Sequence, residues 1–441
     1  MNDCLAEIRN KMIEQGISKL AIENFIYNYN LYNSGNSSFI SAQNIKNPNN
    51  IEFLSDIEDS YIAIGQTRFK NSVIIKLNGG LGTSMGLKKA KSLLTVKNGF
   101  SFLDIIAKQA ELMGIPLILM DSFNTRGDSL ELLSKYEKIK NQKLPLDFIQ
   151  NKVPKISLNT EMPVIYKDDE NLEWCPPGHG DIYISLVING VLDQLLADGI
   201  EYAFISNADN LGATLDLRLL GYFVDKKIPF LMEVAERTES DKKGGHLAVN
   251  NDGQFILREI AQCPVEEIDD FQDFTKYTFF NTNNIWINLK ALKSKMEESN
   301  YNLKLPMIVN EKNVNPRDEG SEKVVQLETA MGSAIEVFEN SAAICVPRTR
   351  FVPVKKTNDL MKIQSDLYEL DEKCNLIARD YEVASRIVID LDEKQYKNVD
   401  EFHNSFCNAN IGLLQCDKLF IKGKVVLKGD VNFIGEVEID V

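Results

Sequence analysis

Short apolar runs alternate with amphipathic stretches over most of this chain. Ser72-Val-Ile-Ile-Lys-Leu77 reads as a buried strand, and so does Pro116-Leu-Ile-Leu-Met120. Similar runs lie at 202–206, 229–234, 284–287 and 342–346, with helical patterns between several of them. Strands alternating with helices predict a mostly parallel α/β sheet. Ser101-Phe-Leu-Asp104 has the form of a capping box, so it opens a helix that Gly114 closes. Residues 33–50, rich in Asn and Ser, read as a loop after a helical start, and a helix is expected over 358–370. The tail follows another rule. Glycine recurs every six residues at Gly423, Gly429 and Gly435, and valine follows two positions later at Val425, Val431 and Val437. A six-residue period predicts a β-helix.

Composition narrows the class. The chain has 441 residues, 44% of them hydrophobic and 26% charged, as in ordinary globular proteins. That length exceeds one typical domain. The formal net charge of −15 argues against binding nucleic acid or an anionic membrane. There is no apolar run of membrane-spanning length, and the first fifteen residues lack the apolar core of a signal peptide. Seven cysteines are scattered singly, which predicts reduced thiols and a cytoplasmic protein with neither disulfide framework nor zinc site.

Candidate chemistry starts at Leu77-Asn-Gly-Gly-Leu-Gly-Thr-Ser-Met-Gly86, directly after the first strand. Such a loop can bring backbone N–H groups against a phosphate or a base. The spacing of Gly80, Gly82 and Gly86 is one residue off the dinucleotide fingerprint, and no Gly-Lys-Ser/Thr closes a P-loop. A nicotinamide dehydrogenase and a P-loop ATPase are therefore poor fits. Three lysines lie in settings suited to an anionic ligand. Lys91 follows the glycine loop, Lys243 precedes two glycines, and Lys355 belongs to the basic run Arg348-Thr-Arg-Phe-Val-Pro-Val-Lys-Lys356. Asp209 ends a strand, where ligands of open α/β sheets bind. The competing reading makes Asp209 the cap of a helix entered over 211–217.

The run Lys76-Leu-Asn-Gly-Gly-Leu-Gly-Thr-Ser-Met-Gly86 closely resembles the signature of eukaryotic-type UTP–glucose-1-phosphate uridylyltransferases. The resemblance continues, in order, through Met120-Asp-Ser-Phe-Asn-Thr125, Pro176-Pro-Gly-His-Gly-Asp-Ile182, Ser206-Asn-Ala-Asp-Asn-Leu-Gly-Ala213, Lys243-Gly-Gly245, Phe280-Asn-Thr-Asn-Asn284, Gln326-Leu-Glu-Thr329 and Pro353-Val-Lys355. It implies a Rossmann-like mixed α/β sheet of the nucleotide-diphospho-sugar transferase type. The expected division is a helical extension over 1–70, a catalytic domain over 71–375 and a C-terminal domain with a short β-helix over 376–441.

The resemblance also implies roles. Leu77, Asn78, Gly79, Gly80, Leu81 and Gly82 would hold uracil and ribose, and Gln150 would read the uracil edge. Gly178 and His179 would sit by the nucleoside, and Asn207 and Asp209 would face the ligand. Asp209 would bind Mg²⁺, Gly245 and Asn284 the sugar, and Lys91, Lys243 and Lys355 would be catalytic. The expected partners are UTP, glucose 1-phosphate, UDP-glucose and pyrophosphate. The family usually reads Gly-Pro-Lys-Ser after its loop, whereas this chain has Lys89-Ala-Lys-Ser92. A related family that activates N-acetylhexosamines carries arginine after the loop threonine, where this chain has Ser84.

Overall fold

A computed structural model describes residues 2–35 and 39–441. The part of the expected 33–50 loop at positions 36–38 lies outside the described residues. The chain forms two compact units. One comprises Met1–Val73, Phe148–Ile205 and Asp216–Val346, and the other Ile74–Asp147, Ser206–Leu215 and Pro347–Val441.

The first unit opens with helices Asn2–Glu14 and Lys19–Asn33, the second capped by Ser18, whose side chain accepts from the Ala21 N–H. Ile8, Met12, Phe25, Ile26 and Tyr29 bury one face of the pair against Val153, Trp174, Val325 and Leu327. Behind them runs a mixed sheet in the order Glu52–Phe53, Ala342–Cys345, Phe230–Glu236, Phe279–Asn288, Tyr202–Asn207. The first three strands are parallel, but Phe279–Asn288 is antiparallel to both its neighbours. The expectation of a mostly parallel sheet is therefore corrected in this unit. Between Glu236 and Phe279 the chain folds the hairpin His246–Asn250 with Phe255–Arg258 and only short helical turns. A parallel return would need a crossover over the sheet face, usually through a helix, and this connection builds a hairpin instead.

Helices Ser60–Arg68 and Leu217–Asp225 meet through two glycines. A Cβ on Gly65 would lie 1.9 Å from the Leu217 carbonyl oxygen, and one on Gly221 would lie 1.9 Å from that of Tyr61. No other residue permits backbones to approach so closely.

In the second unit, strand Ser72–Asn78 pairs in parallel with Leu117–Asp121 from Ile74 onward. Helix Phe102–Met113 joins them, with the expected capping box at Ser101 and Asp104 and a left-handed Gly114. The helix expected over 358–370 stops earlier. It spans Thr357–Gln364 because Ser365 turns to extended backbone, and Tyr368–Leu370 becomes a strand paired with Leu376–Ala378.

The tail is a β-helix stack. Val388–Leu391, Ala409–Lys422 and Gly429–Asp440 lie parallel. Leu419, Phe420, Ile421 and Lys422 pair with Val437, Glu438, Ile439 and Asp440, one coil of three six-residue periods later. Gly423, Gly429 and Gly435 all have positive φ, which explains glycine at each repeat. All seven cysteines are free. No single helix among the described residues is long and apolar enough to cross a membrane.

Candidate active site

In the second unit the glycine loop is organised around Lys91. The Lys91 N–H donates to the Gly80 carbonyl at 3.0 Å, and Gly82, at φ 65°, lies so close that a Cβ would meet the Lys91 stem at 3.2 Å. The Lys91 ammonium then reaches Asp209 Oδ2 at 2.5 Å, and both side chains remain about one-fifth exposed. A cation and a carboxylate thus neutralise one another at the loop. Asn78 is different from its loop neighbours. Its side chain is buried and donates to Asp121 Oδ1 at 2.7 Å and Ser129 Oγ at 2.8 Å. Asn78 therefore anchors the loop from inside with its side chain. Burial pushes the Asp121 carboxyl up to about 6. Leu77, Gly79, Leu81 and Gly82 are partly exposed and Gly80 is open.

Asp209 is not a helix cap. The helix begins at Leu217, and Asp216 caps it by accepting from the Arg218 and Leu219 N–H groups. Asp209 instead lies in a turn fixed from both sides. The buried Lys76 Nζ donates to Ser206 Oγ at 2.7 Å and to the Ala213 carbonyl at 2.8 Å, holding the chain before and after it. Asn210 Oδ1 accepts from the Val352 N–H at 2.9 Å, and its Nδ2 donates to the Arg350 carbonyl at 3.1 Å. A Cβ on Gly212 would sit 2.4 Å from the Thr349 carbonyl oxygen. The Asn207–Gly212 turn and the basic run carrying Lys355 are thereby locked together. The paired lysines separate clearly. Lys356 forms an ion pair with Glu393 at 2.5 Å, whereas Lys355 is exposed, stands 6.0 Å from the Phe351 ring and has no ion pair among the described residues. Ala90, at the family's proline position, has φ −52°, so the backbone is already shaped for proline.

In the first unit Gly178 and Gly180, on either side of His179, pack on Thr329. A Cβ on Gly178 would lie 2.4 Å from the Thr329 carbonyl oxygen, and one on Gly180 2.4 Å from Thr329 Oγ1. The Met331 N–H donates to His179 Nδ1 at 2.9 Å. That bond places the ring proton on Nε2, leaving a neutral N–H donor. Burial pushes the His179 pKa down to about 4, so the ring is uncharged at neutral pH. Gln150 is buried next to Asn151, whose N–H donates to Asp181 Oδ2 at 2.7 Å and so ties it to the His179 turn.

Lys243 is exposed on a loop that Arg237 holds from below. Arg237 donates to the carbonyls of Lys242 at 3.0 Å and Phe271 at 3.0 Å. Lys243 has no ion pair among the described residues. Behind it, Gly245 faces the Glu259 carboxylate, which a Cβ would meet at 2.6 Å. The Gly245 carbonyl accepts from the Asn281 N–H at 3.1 Å. Asn284, the expected sugar residue, is fully buried and gives its Nδ2 to Glu233 at 3.0 Å. Asn283 is the more open member of that segment, half-buried, whereas Asn281 is buried. Asn281 packs against Gly332, so Thr329–Gly332 touches the His179 turn at one end and the Asn281 turn at the other.

The structure therefore brings together Lys91, Asp209, the glycine loop and the Lys355 run in one unit. It gathers Gln150, Gly178 and His179, and separately Gly245 with the Asn281–Asn284 segment, in the other. The sequence reading quoted Lys76 only as part of a strand and a motif, without its bonds, and missed Arg237, Glu233, Glu259 and Met331. Met331 lies just beyond a quoted motif, but nothing local marked its contact with His179.

Comparison with known proteins identifies the family and the fold. The family model described as UTP–glucose-1-phosphate uridylyltransferase matches residues 22–433. The Saccharomyces cerevisiae enzyme of that name is 40% identical over 404 residues, covering 89% of this chain and 78% of that protein. A mutant UDP-glucose pyrophosphorylase from Leishmania major, solved in complex with UDP-glucose, superposes with a TM-score of 0.90 at 39% identity, covering 99% of this chain and 94% of that one. A Trypanosoma brucei structure described as UDP-glucose phosphorylase gives 0.88 at 43% identity, covering 98% and 94%. The chain belongs to the UTP–glucose-1-phosphate uridylyltransferase family.

Proposed function

We propose that this protein transfers the uridylyl group of UTP to glucose 1-phosphate, forming UDP-glucose and releasing pyrophosphate. The observation that carries this reading is the Lys91–Asp209 pair at the mouth of the glycine loop. A phosphate oxygen of the sugar phosphate attacks the α-phosphorus, and the bond from that phosphorus to the bridging oxygen breaks. Pyrophosphate leaves with the electron pair. The second pKa of a phosphate monoester lies near 6, so the nucleophile needs no general base at neutral pH. The barrier is repulsion between two anions, which positioning and positive charge lower. Lys91, Lys243 and Lys355 supply that charge. The backbone of Leu77–Gly82 orients the nucleoside and Asn207 flanks the phosphates; in the other unit, His179 Nε2–H and Gln150 offer polar groups suited to a nucleoside. Gly245 and the segment ending at Asn284 receive the hexose, with Asn284 bracing the segment from inside.

Mg²⁺ fits this donor set in one way. No three His, Cys, Asp or Glu side chains gather among the described residues. A single carboxylate suits an ion that keeps its waters and takes substrate phosphate oxygens. Asp209 would hold it, and its charge would offset that of the phosphates. The seven free thiols support a cytoplasmic location.

Pyrophosphate release, measured with a panel of nucleoside triphosphates and hexose 1-phosphates with and without Mg²⁺, tests the reading. UTP with glucose 1-phosphate should give the highest kcat/KM. Preference for N-acetylglucosamine 1-phosphate, or turnover unaffected by Lys91→Ala, would overturn it.

A further inference from the structure

We propose that Glu233 is a positioning residue for the sugar phosphate, clamping the β-bulge that presents Asn283 and is tied through Asn281 to Gly245. The proposal rests on the reading above that this segment receives the hexose.

In the register between Phe230–Glu236 and Phe279–Asn288, Glu233 faces Asn284 while Val234 faces Asn281. Thr282 and Asn283 are therefore looped out. Asn283 takes φ 59°, a conformation that asparagine tolerates better than most residues. Bulges of this kind redirect side chains next to active sites.

Glu233 holds the bulge in three ways. Its carbonyl accepts from Thr282 Oγ1 at 2.7 Å. Its carboxylate takes Asn284 Nδ2 on Oε2 at 3.0 Å and Trp286 Nε1 on Oε1 at 2.9 Å. Asn284 and Trp286 are alternate residues of one strand and share a face, so one two-oxygen acceptor fixes the strand just beyond the bulge. Glu233 is fully buried. A buried carboxylate is costly unless donors satisfy it, and here the strand supplies them.

The bulge itself is closed by Asn281 Nδ2 donating to Asn283 Oδ1 at 2.9 Å and the Asn283 N–H donating to Asn281 Oδ1 at 2.9 Å. The Asn281 N–H binds the Gly245 carbonyl at 3.1 Å. Asn283 Nδ2 makes no hydrogen bond among the described residues and remains as a donor on the bulge that Asn281 ties to Gly245. Glu233 does not touch the sugar in this account; it fixes where that donor stands.

The test is Glu233→Gln. Glutamine offers one acceptor and one N–H₂ group, so a donor must face either Asn284 or Trp286. The KM for glucose 1-phosphate should rise about tenfold, with the KM for UTP within about twofold, as expected for one lost positioning interaction. The Trp286 emission should shift. Adding Trp286→Phe removes the opposed donor and should restore much of the glucose 1-phosphate KM. Should Glu233→Gln fail to fold, Thr282→Val, which deletes the hydroxyl that donates to the Glu233 carbonyl and accepts from the Asn284 N–H, must raise the same KM selectively. An unchanged glucose 1-phosphate KM, or an equal rise for both substrates, overturns the proposal. A wild-type protein that makes no UDP-glucose instead overturns the function on which it rests.

Discussion

Lys91 Nζ and Asp209 Oδ2 lie 2.5 Å apart, although 118 positions separate the two residues in the chain. A lysine and a carboxylate both proposed to serve the triphosphate are thus paired with one another. In the proposed function, a triphosphate at the glycine loop would compete with Asp209 for the ammonium. Lys91→Ala should therefore lower kcat/KM by about 10²–10³-fold, the usual loss for one charge-stabilising donor. Pyrophosphate release checks it, and a change under threefold would contradict the role.

The same pairing bears on Mg²⁺. With Asp209 engaged by Lys91 and no further carboxylate cluster among the described residues, the protein alone should bind Mg²⁺ weakly. Calorimetric titration should show millimolar or weaker binding without nucleotide and much tighter binding with UTP, lost in Asp209→Ala. Tight binding to the nucleotide-free protein would refute this.

Ala90 offers a gain of stability. Its φ of −52° suits proline, and its amide donates to no backbone carbonyl among the described residues. Ala90→Pro should stabilise the fold by about 0.4–1 kcal/mol through a less free unfolded chain. Denaturant unfolding would measure it, and a lowered midpoint would show that the loop needs the freedom alanine leaves.

The two-glycine helix contact predicts the reverse. Gly221→Ala would place a methyl 1.9 Å from the Tyr61 carbonyl oxygen, against backbone that has no rotamer to change. Forcing the helices apart should cost about 1–3 kcal/mol or more. Gly65→Ala should add little to it, because either substitution separates the same pair. A fully additive double mutant would disprove a shared contact.

Two histidines set an acid limit. His246 is buried, stacked on Tyr277 at 4.0 Å, and neither ring nitrogen has a hydrogen-bond partner among the described residues. Burial, then Arg237 and Arg258, hold its pKa well below the ordinary value, and burial holds His179 at about 4. The unfolded chain thus binds protons on these rings first. Their stabilisation is full above pH about 6.5 and is lost as pH falls toward the folded values. Asp121, raised to about 6, and Glu336, raised to about 7, act oppositely: their contribution is full at low pH and lost as pH rises through those values. Total stability mixes both signs, so a variant must isolate one. His246→Phe keeps the stacking ring and removes the titration. Its stability relative to wild type should grow as pH drops from 7 to 5, and a pH-independent difference would defeat the argument.

Much of the scaffold was legible because its signals are local. Strand 72–78 announces itself by apolar residues in sequence, the Ser101–Asp104 box by two side chains three positions apart, and the β-helix by glycines at each positive-φ corner. The family motifs named the site segments for the same reason. The sheet's antiparallel member was not legible, since direction depends on how the chain returns and not on any strand's own pattern.

The sequence by itself therefore determined which short segments are strands, turns and cradles, because backbone preference and hydrophobic period act over a few residues. Only the tertiary structure decided what each side chain in those segments does. Asn78 and Asn284 spend their amides inside the protein, Lys91 meets Asp209, and Met331 fixes the tautomer of His179. Those bonds join residues far apart in the chain, and their existence depends on packing that no local pattern encodes.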